Sequence, residues 1–117
     1  MNARSISYSL RHFEIIFLDY REFYNSINIP GCYMLTNCNT GKVYVGQSQK
    51  VADRVRRHIM RSGTCSVTYD IRRGDPFQVT LFFHDDTLKC NLNEMERYYI
   101  SLYDAYEKGY NKTGGNQ

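Results

Sequence analysis

The chain lacks the features that would send it out of a cell or divide it into modules. No continuous apolar stretch reaches the roughly 20 residues that a membrane-spanning helix needs. The first residues lack the basic start, apolar middle and small-residue cleavage site of a secretory signal. Repeats, low-complexity tracts and Pro/Gly/Ser-rich linkers are also missing. We therefore expect one domain of 117 residues in the cytoplasm, with no membrane association and with a phage or bacterial origin left open.

The four cysteines give no sign of a disulfide framework or of a zinc site. Cys32, Cys38, Cys65 and Cys90 are widely scattered and form no C-x-x-C pair. Scattered thiols in an intracellular chain are usually free, and we expect most of these to be buried. Zinc bound by Cys32, Cys38 and a histidine has no support from the spacing.

Positive charge is concentrated in one segment, although the net formal charge is only +3. The basic residues of this segment are Lys50, Arg54, Arg56, Arg57, Arg61, Arg72 and Arg73, against Asp53 and Asp70. A localised basic patch is typical of a protein that binds a phosphate backbone. A solvated helix face has the same composition, so the patch by itself decides little.

Residues 10–27 predict an amphipathic helix that ends before Pro30. Its apolar positions are Phe13, Ile16, Phe17, Tyr20, Tyr24 and Ile27. We interpret residues 1–29 as an N-terminal helical extension packed on a domain of residues 30–117. Six apolar positions are many for an added surface helix, so this helix is also a candidate interface for a homodimer or a partner protein.

The rest of the chain predicts the order β-β-α-β-α. Strands are expected at residues 32–36, 42–46 and 77–83, with helices at residues 50–61 and from 91 to about 103, and a short helix near 69–73. Ser48 is a candidate N-cap for the first of these helices, and Asn91 with Glu94 resembles a capping box. The inward positions of the last helix would be Leu92, Met95, Tyr99 and Leu102. The fold class is therefore α+β, with a small three-stranded antiparallel sheet flanked by helices and an extra N-terminal helix.

Two tyrosines lie in the first two predicted strands, on either side of a turn-rich segment. Side chains alternate faces along a strand, and directly opposed residues of an antiparallel pair share a face. A loop with an even number of residues therefore puts Tyr33 and Tyr44 on one side of the sheet. Two neighbouring phenols followed by a basic helix are typical of an active site rather than of a core.

These tyrosines stand in Gly31-Cys32-Tyr33 and Tyr44-Val45-Gly46. The pair resembles the signature of the GIY-YIG nucleases, and the resemblance extends over about residues 30–115. It implies the GIY-YIG fold and a DNA-cleaving activity. It also implies functional roles for Arg54, for Glu96 in a Glu-x-x-x-Ile pattern, and for Asn111 after Gly109-Tyr110.

Arg54 and His58 lie one turn apart on the basic helix. The family has an essential arginine at the place of Arg54, and a guanidinium can bind a phosphate with two hydrogen bonds and stabilise the more negative transition state. His58 has a counterpart in the homing-endonuclease branch. Near neutral pH it could accept a proton from a phenol or from water, or contact phosphate.

Glu96 falls at the border of the buried stripe of the last helix, where a carboxylate needs a partner. A divalent cation is a natural one, and the resemblance implies that this glutamate holds catalytic Mg²⁺ or Mn²⁺. Glu94 is the rival carboxylate, but we interpret it as a helix-cap residue. Asn111 would orient Glu96, the metal or a phosphate, unless it is an ordinary turn residue.

The resulting hypothesis is a metal-dependent DNA endonuclease with one metal ion and a tyrosine that helps to activate water. We expect Tyr44 to activate the water and Tyr33 to orient the water or the phosphate, although the sequence does not fix this order. Candidate DNA-backbone contacts are Lys42, Lys50, Arg57, Arg61, Arg72 and Arg73. The alternatives are a catalytically silent nucleic-acid-binding module of the same fold and a pure protein-interaction domain.

Overall fold

Four strands form one antiparallel sheet with helices on both faces, in a computed structural model that describes residues 1–60, 65–112 and 114. The elements are β1 (Ser5–Ser9), α1 (Leu10–Asp19), α2 (Arg21–Ile27), β2 (Gly31–Asn37), β3 (Val43–Ser48), α3 (Val51–Met60), α4 (Ser66–Arg73), β4 (Phe77–Phe83) and α5 (Leu92–Leu102). The strand order in the sheet is β1-β4-β2-β3. None of the described helices is long and apolar enough to cross a membrane.

The predicted α+β class is confirmed, but the prediction of three strands is wrong because β1 adds a fourth at one edge. This strand pairs antiparallel with β4, with Ser5 opposite Phe82 and Ser9 opposite Gln78. Its sequence alternates serine with Ile6 and Tyr8, which is the pattern of a half-buried strand. The three strands that were predicted, β2, β3 and β4, occupy the rest of the sheet.

The predicted helix over residues 10–27 is interrupted, so the segment forms two helices after β1. Tyr20 separates α1 from α2 with φ −131° and ψ 62°, and its side chain is 61% exposed. The other predicted apolar positions are buried, except that Phe17 is only partly so. Leu18 and Phe23 are exposed on the outer surface of the pair, and the expected homodimer or partner interface stays a prediction.

Two hydrogen bonds connect α2 and the residue that follows it to the first turn of α3. The hydroxyl of Tyr24 donates to Oδ1 of Asp53 at 2.7 Å. The backbone N–H of Asp53 in turn donates to Oδ1 of Asn28 at 2.9 Å. These bonds fix the start of the helix that carries Arg54, the next residue along the chain.

Each face of the sheet has its own apolar core. Tyr33, Leu35, Val79 and Leu81 face the N-terminal helices, α3 and α4, where burial of apolar surface supplies most of the stabilisation. The opposite face packs against α5, where Phe82 stacks on Tyr99 with ring centroids 4.0 Å apart. Of the predicted inward positions of α5, Met95 and Tyr99 are buried, Leu92 is partly buried, and Leu102 is 55% exposed.

Hydrogen bonds at the starts of α5 and α3 test the two predicted helix caps. The capping box of α5 is confirmed, since Glu94 N–H donates to Asn91 Oδ1 at 2.8 Å and Asn91 N–H donates to Glu94 Oε1 at 3.3 Å. The N-cap prediction for Ser48 is wrong. Its hydroxyl bonds the backbone of Lys50, accepting from N at 3.0 Å and donating to O at 3.1 Å, before α3 begins at Val51.

The four cysteines are free, as expected. The expectation that most would be buried is wrong, because only Cys32 is. Cys38 is exposed in the turn between β2 and β3, and Cys65 and Cys90 are partly exposed.

Candidate active site

The β2–β3 hairpin brings the two tyrosine rings together on one face of the sheet, as predicted. Asn37 N–H donates to Lys42 O at 2.9 Å, which leaves an even loop of residues 38–41. Tyr33 is then opposite Gly46, and Tyr44 is two pairs further along, opposite Leu35. The ring centroids of the two tyrosines are 6.1 Å apart.

Gly46 makes room for the first of these rings. A Cβ atom at this position would collide with the hydroxyl end of Tyr33. The glycine of the second motif is therefore needed to seat the tyrosine of the first, and no larger residue could occupy this position without moving the ring.

Helix α3 packs His58 against both phenols. The hydroxyl oxygen of Tyr33 lies 2.8 Å from His58 Nε2. The imidazole meets the Tyr44 ring edge-on at a centroid distance of 5.1 Å. Tyr33 is only 1% exposed, whereas Tyr44 is partly exposed. The buried phenol is thus bonded to the imidazole, and the more accessible phenol lies beside both.

The protonation states of the three side chains follow from their surroundings. Burial, together with the nearby charge of Arg54, lowers the pKa of His58 to about 4. Burial is also the main cause that raises the pKa of both Tyr33 and Tyr44. Near neutral pH the imidazole is therefore neutral and both phenols keep their protons. Nε2 of His58 can then accept the hydrogen bond from Tyr33, with the ring proton on Nδ1.

The imidazole of His58 is expected to titrate near pH 4 in the folded protein, well below its ordinary value of 6.5. The unfolded chain would take up this proton first as the pH falls. The free energy of unfolding should therefore decrease as the pH is lowered from about 6.5 to about 4. The measurements are an NMR titration of the His58 ring protons and urea unfolding at several pH values.

The His58→Gln variant serves as the control for this titration. Glutamine keeps a polar group near Tyr33 but does not titrate, so the share of the pH dependence due to His58 should disappear. A His58 ring that titrates near 6.5 would contradict the packing described for this site.

Arg54 and Arg57 connect two neighbouring cavities into one groove. The first cavity, of about 430 Å³, is lined by Tyr33, Tyr44, Arg54, Arg57, His58, Cys65 and Thr68. The second, of about 470 Å³, is lined by Ser48, Gln49, Lys50, Asp53, Arg54 and Arg57. We call this pair the basic groove. Its cationic side chains make it suited to an anionic ligand.

The other predicted backbone contacts lie away from the basic groove or are already paired. Arg73 forms salt bridges with Asp75 at 2.6 Å and with Asp70 at 3.4 Å. Arg72 and Lys42 are exposed and line neither cavity, so their contact with DNA stays a prediction. Arg61 lies outside the described residues.

Glu96 approaches the sheet from α5, at the border of the buried stripe as predicted, with 9% of the residue exposed. The amide nitrogen of Gln47 lies 3.4 Å from its Oε1 and 2.6 Å from Asn93 Oδ1. Burial is the largest cause of the raised pKa of Tyr33 and of Tyr44. The negative charge of Glu96 is a smaller cause that acts in the same direction on both phenols. The carboxylate therefore belongs to the electrostatic surroundings of the tyrosine pair, although it does not line the same cavity.

The carboxylate of Glu96 is the kind of oxygen ligand that hard divalent cations prefer. Within residues 1–60, 65–112 and 114, no group of three or more His, Cys, Asp or Glu side chains could hold an ion. Glu96 would give a cation here one carboxylate ligand, and water and substrate oxygens could fill other positions of its shell. Mg²⁺ commonly binds in this way, through one or two carboxylates together with phosphate.

Asn111 contacts the backbone beside Tyr44 rather than Glu96. Its Oδ1 accepts from Val45 N–H at 2.8 Å, and its Nδ2 donates to Val45 O at 2.8 Å. Because β3 is an edge strand, these outward backbone groups have no neighbouring strand to pair with. The geometry is that of a residue that holds the strand carrying Tyr44 in place.

Gln47 is the site residue that the sequence reasoning missed. It follows Gly46 directly, and alternation along β3 puts it on the α5 face, opposite the tyrosines. That alternation could have indicated a contact with the last helix. Nothing in the sequence identified Glu96 as the residue it would meet.

Comparison with known proteins agrees with this geometry. The sequence model of the GIY-YIG catalytic domain family matches residues 29–111 of this chain. Among curated proteins, none matches the chain. The catalytic domain of intron endonuclease I-TevI, solved as a mutant, resembles it with a TM-score of 0.59 and 22% identity. The similarity covers 74% of this chain and 96% of that domain, and at such identity it shows a common fold.

Proposed function

Because the chain belongs to the GIY-YIG catalytic-domain family, we propose that it is a metal-dependent DNA endonuclease. The observation that carries the proposal is the 2.8 Å hydrogen bond between Tyr33 and His58, beside Tyr44 and Arg54 in one cavity. A proton acceptor, two hydroxyl groups and a permanent cation at one place are the groups that phosphodiester hydrolysis needs.

Binding of the DNA backbone falls to the basic groove. The Arg54 guanidinium is shared by both of its cavities, so it can bind the scissile phosphate while Lys50 and Arg57 bind neighbouring phosphates. An arginine side chain such as that of Arg54 stays charged at any working pH. The stabilisation that this charge provides increases as negative charge builds up on the phosphate in the transition state.

Activation of the attacking water runs through the hydroxyl groups. Tyr44, the more accessible phenol, takes a proton from water as it passes its own to the neighbouring Tyr33, whose ring centroid lies 6.1 Å from its own. Tyr33 passes a proton to His58 Nε2. Since the raised pKa values make free phenolates scarce, a concerted transfer is favoured over a preformed tyrosine base. A bound phosphate would increase the basicity of His58.

Glu96 is the residue that would hold the metal ion, Mg²⁺ or Mn²⁺. A divalent ion held there would supply Lewis-acid stabilisation of the negative charge on the phosphate and on the leaving 3′ oxygen. Gln47 restrains the carboxylate through its amide group. The products would carry 5′-phosphate and 3′-hydroxyl ends.

Cleavage of supercoiled plasmid tests the proposal directly. With Mg²⁺ or Mn²⁺ the protein is expected to produce nicked or linear DNA, and EDTA should abolish this. Gel electrophoresis gives the rate, and ligation of the nicks checks for 5′-phosphate and 3′-hydroxyl ends. A metal-independent reaction, or nicks that ligase cannot seal, would contradict the mechanism.

A catalytically silent DNA-binding module is the second candidate. It is favoured by the burial of Tyr33 and the partial burial of Tyr44, because burial raises the pKa of both phenols and so disfavours their role as bases. Salt-dependent binding by the basic groove, with no cleavage under any divalent ion or DNA structure, would support this second candidate over the enzyme.

A further inference from the structure

A third cavity, of about 480 Å³, continues the basic groove toward the start of α5. Gln49 lines both this cavity and the basic groove, so the two are contiguous. We call it the amide pocket, because four of its lining residues are Gln47, Gln49, Asn91 and Asn93. Its size is within the range of about 300–1,000 Å³ that is typical of small-ligand sites.

The chemistry of the amide pocket differs sharply from that of the basic groove. Among the described residues, its lining contains no lysine, arginine, aspartate or glutamate, and Pro30 and Leu92 add apolar surface. His84 completes the lining and bonds Cys90 O through Nε2 at 2.6 Å. Such a pocket has little to attract a phosphate. Its lining chemistry suits a neutral group that combines hydrogen-bonding edges with apolar surface.

A nucleobase is such a group. Proteins that bind DNA generally use different residues to contact the phosphates and to contact the bases. Cationic side chains position the backbone, whereas base edges are read by hydrogen bonds. The side-chain amide of glutamine or asparagine presents a donor and an acceptor together, and this pair matches N7 and N6 of adenine.

Gln49 is the amide that is free to read a base. Its side chain is exposed and makes no hydrogen bond with another residue in the described part of the chain. Gln47 already donates to Asn93 and Glu96, and Asn91 Oδ1 caps α5. Asn93 uses its oxygen for Gln47 and keeps its N–H groups for a ligand.

We propose that the amide pocket binds a base that flanks the scissile phosphate, with a preference for adenine that depends on Gln49. This inference rests on the proposed nuclease function and adds a specificity site to it. Gln47 links the pocket to Glu96, so an occupied pocket would lie one side chain away from the proposed metal ligand.

Cleavage of a DNA library with randomised positions around each potential cut tests this inference. Sequencing of the ends is expected to show adenine enriched at one flanking position. The Gln49→Ala variant should lose this preference by about 5-fold to 100-fold, the range expected for one bidentate amide–base contact. Asn93→Ala is a second variant of the same pocket.

The matched control is Gln78→Ala, which removes an exposed glutamine of β4 outside the pocket. It should leave the preference unchanged. Cleavage without a preference for adenine, or a preference unaltered in Gln49→Ala, would overturn the inference while leaving the nuclease intact. If the wild-type protein cuts no DNA, the proposed function fails, and the inference fails with it. Circular dichroism of each variant verifies folding.

Discussion

Replacing Glu96 with glutamine is expected to reduce plasmid cleavage about a thousandfold while leaving the protein folded. The new side chain has nearly the same shape, and Gln47 can still donate to its oxygen. The charge that would hold the metal ion is lost, however. Metal-assisted stabilisation is worth several kcal/mol, and each 1.36 kcal/mol corresponds to about a factor of ten in rate. The measurement is the single-turnover cleavage rate over a range of Mg²⁺ concentrations.

Glu94→Gln is the matched control on the same helix. Glutamine also serves in a capping box, so α5 should keep its start and cleavage should stay near the wild-type rate. Equal loss in both variants would point to helix damage. Full activity of Glu96→Gln would show that Glu96 is not the metal ligand. Glu94 would then be the next carboxylate to test.

Replacing Arg54 with lysine is expected to lower the rate of cleavage by about 10²–10³, the usual effect of losing one transition-state donor. Lysine keeps the positive charge but lacks the planar pair of N–H groups that binds two phosphate oxygens. Since the charge is kept, the pKa of His58 should remain depressed. Single-turnover rates combined with the NMR titration of His58 separate these two consequences.

Arg57→Ala provides the comparison within the same groove. If Arg57 contacts only the backbone, the variant should bind DNA more weakly, and the slope of log affinity against log salt should fall by about 1. The rate of bound enzyme should change much less than in Arg54→Lys. The assignment of the scissile phosphate to Arg54 would be wrong if the two variants showed the opposite pattern.

The sequence predicted the tyrosine pair correctly because its geometry depends on local rules. Strand alternation and an even loop suffice to put Tyr33 and Tyr44 on one face. The capping box of α5 and the border position of Glu96 likewise follow from helical spacing alone. Each of these features involves residues close together in the chain or a regular period.

Features that depend on distant contacts could not be predicted in this way. The bond from Tyr33 to His58 depends on how α3 packs on the sheet, and the pairing of Asn111 with Val45 joins residues 66 positions apart. Strand β1, in contrast, could have been predicted from the sequence, because Ile6 and Tyr8 alternate with serine as in a half-buried strand. The break at Tyr20 has no glycine or proline to mark it, and the apolar spacing runs through it.

The core on the tyrosine face has a consequence for protein engineering. Phe13, Ile16, Tyr24 and Ile27 belong to the same buried cluster as Tyr33 and Val55. A chimeric nuclease that borrowed only the residues resembling the family would leave this cluster open and lose a strand of the sheet. The transferable folding unit is the segment from β1 through Asn111, and a targeting domain is best attached outside it.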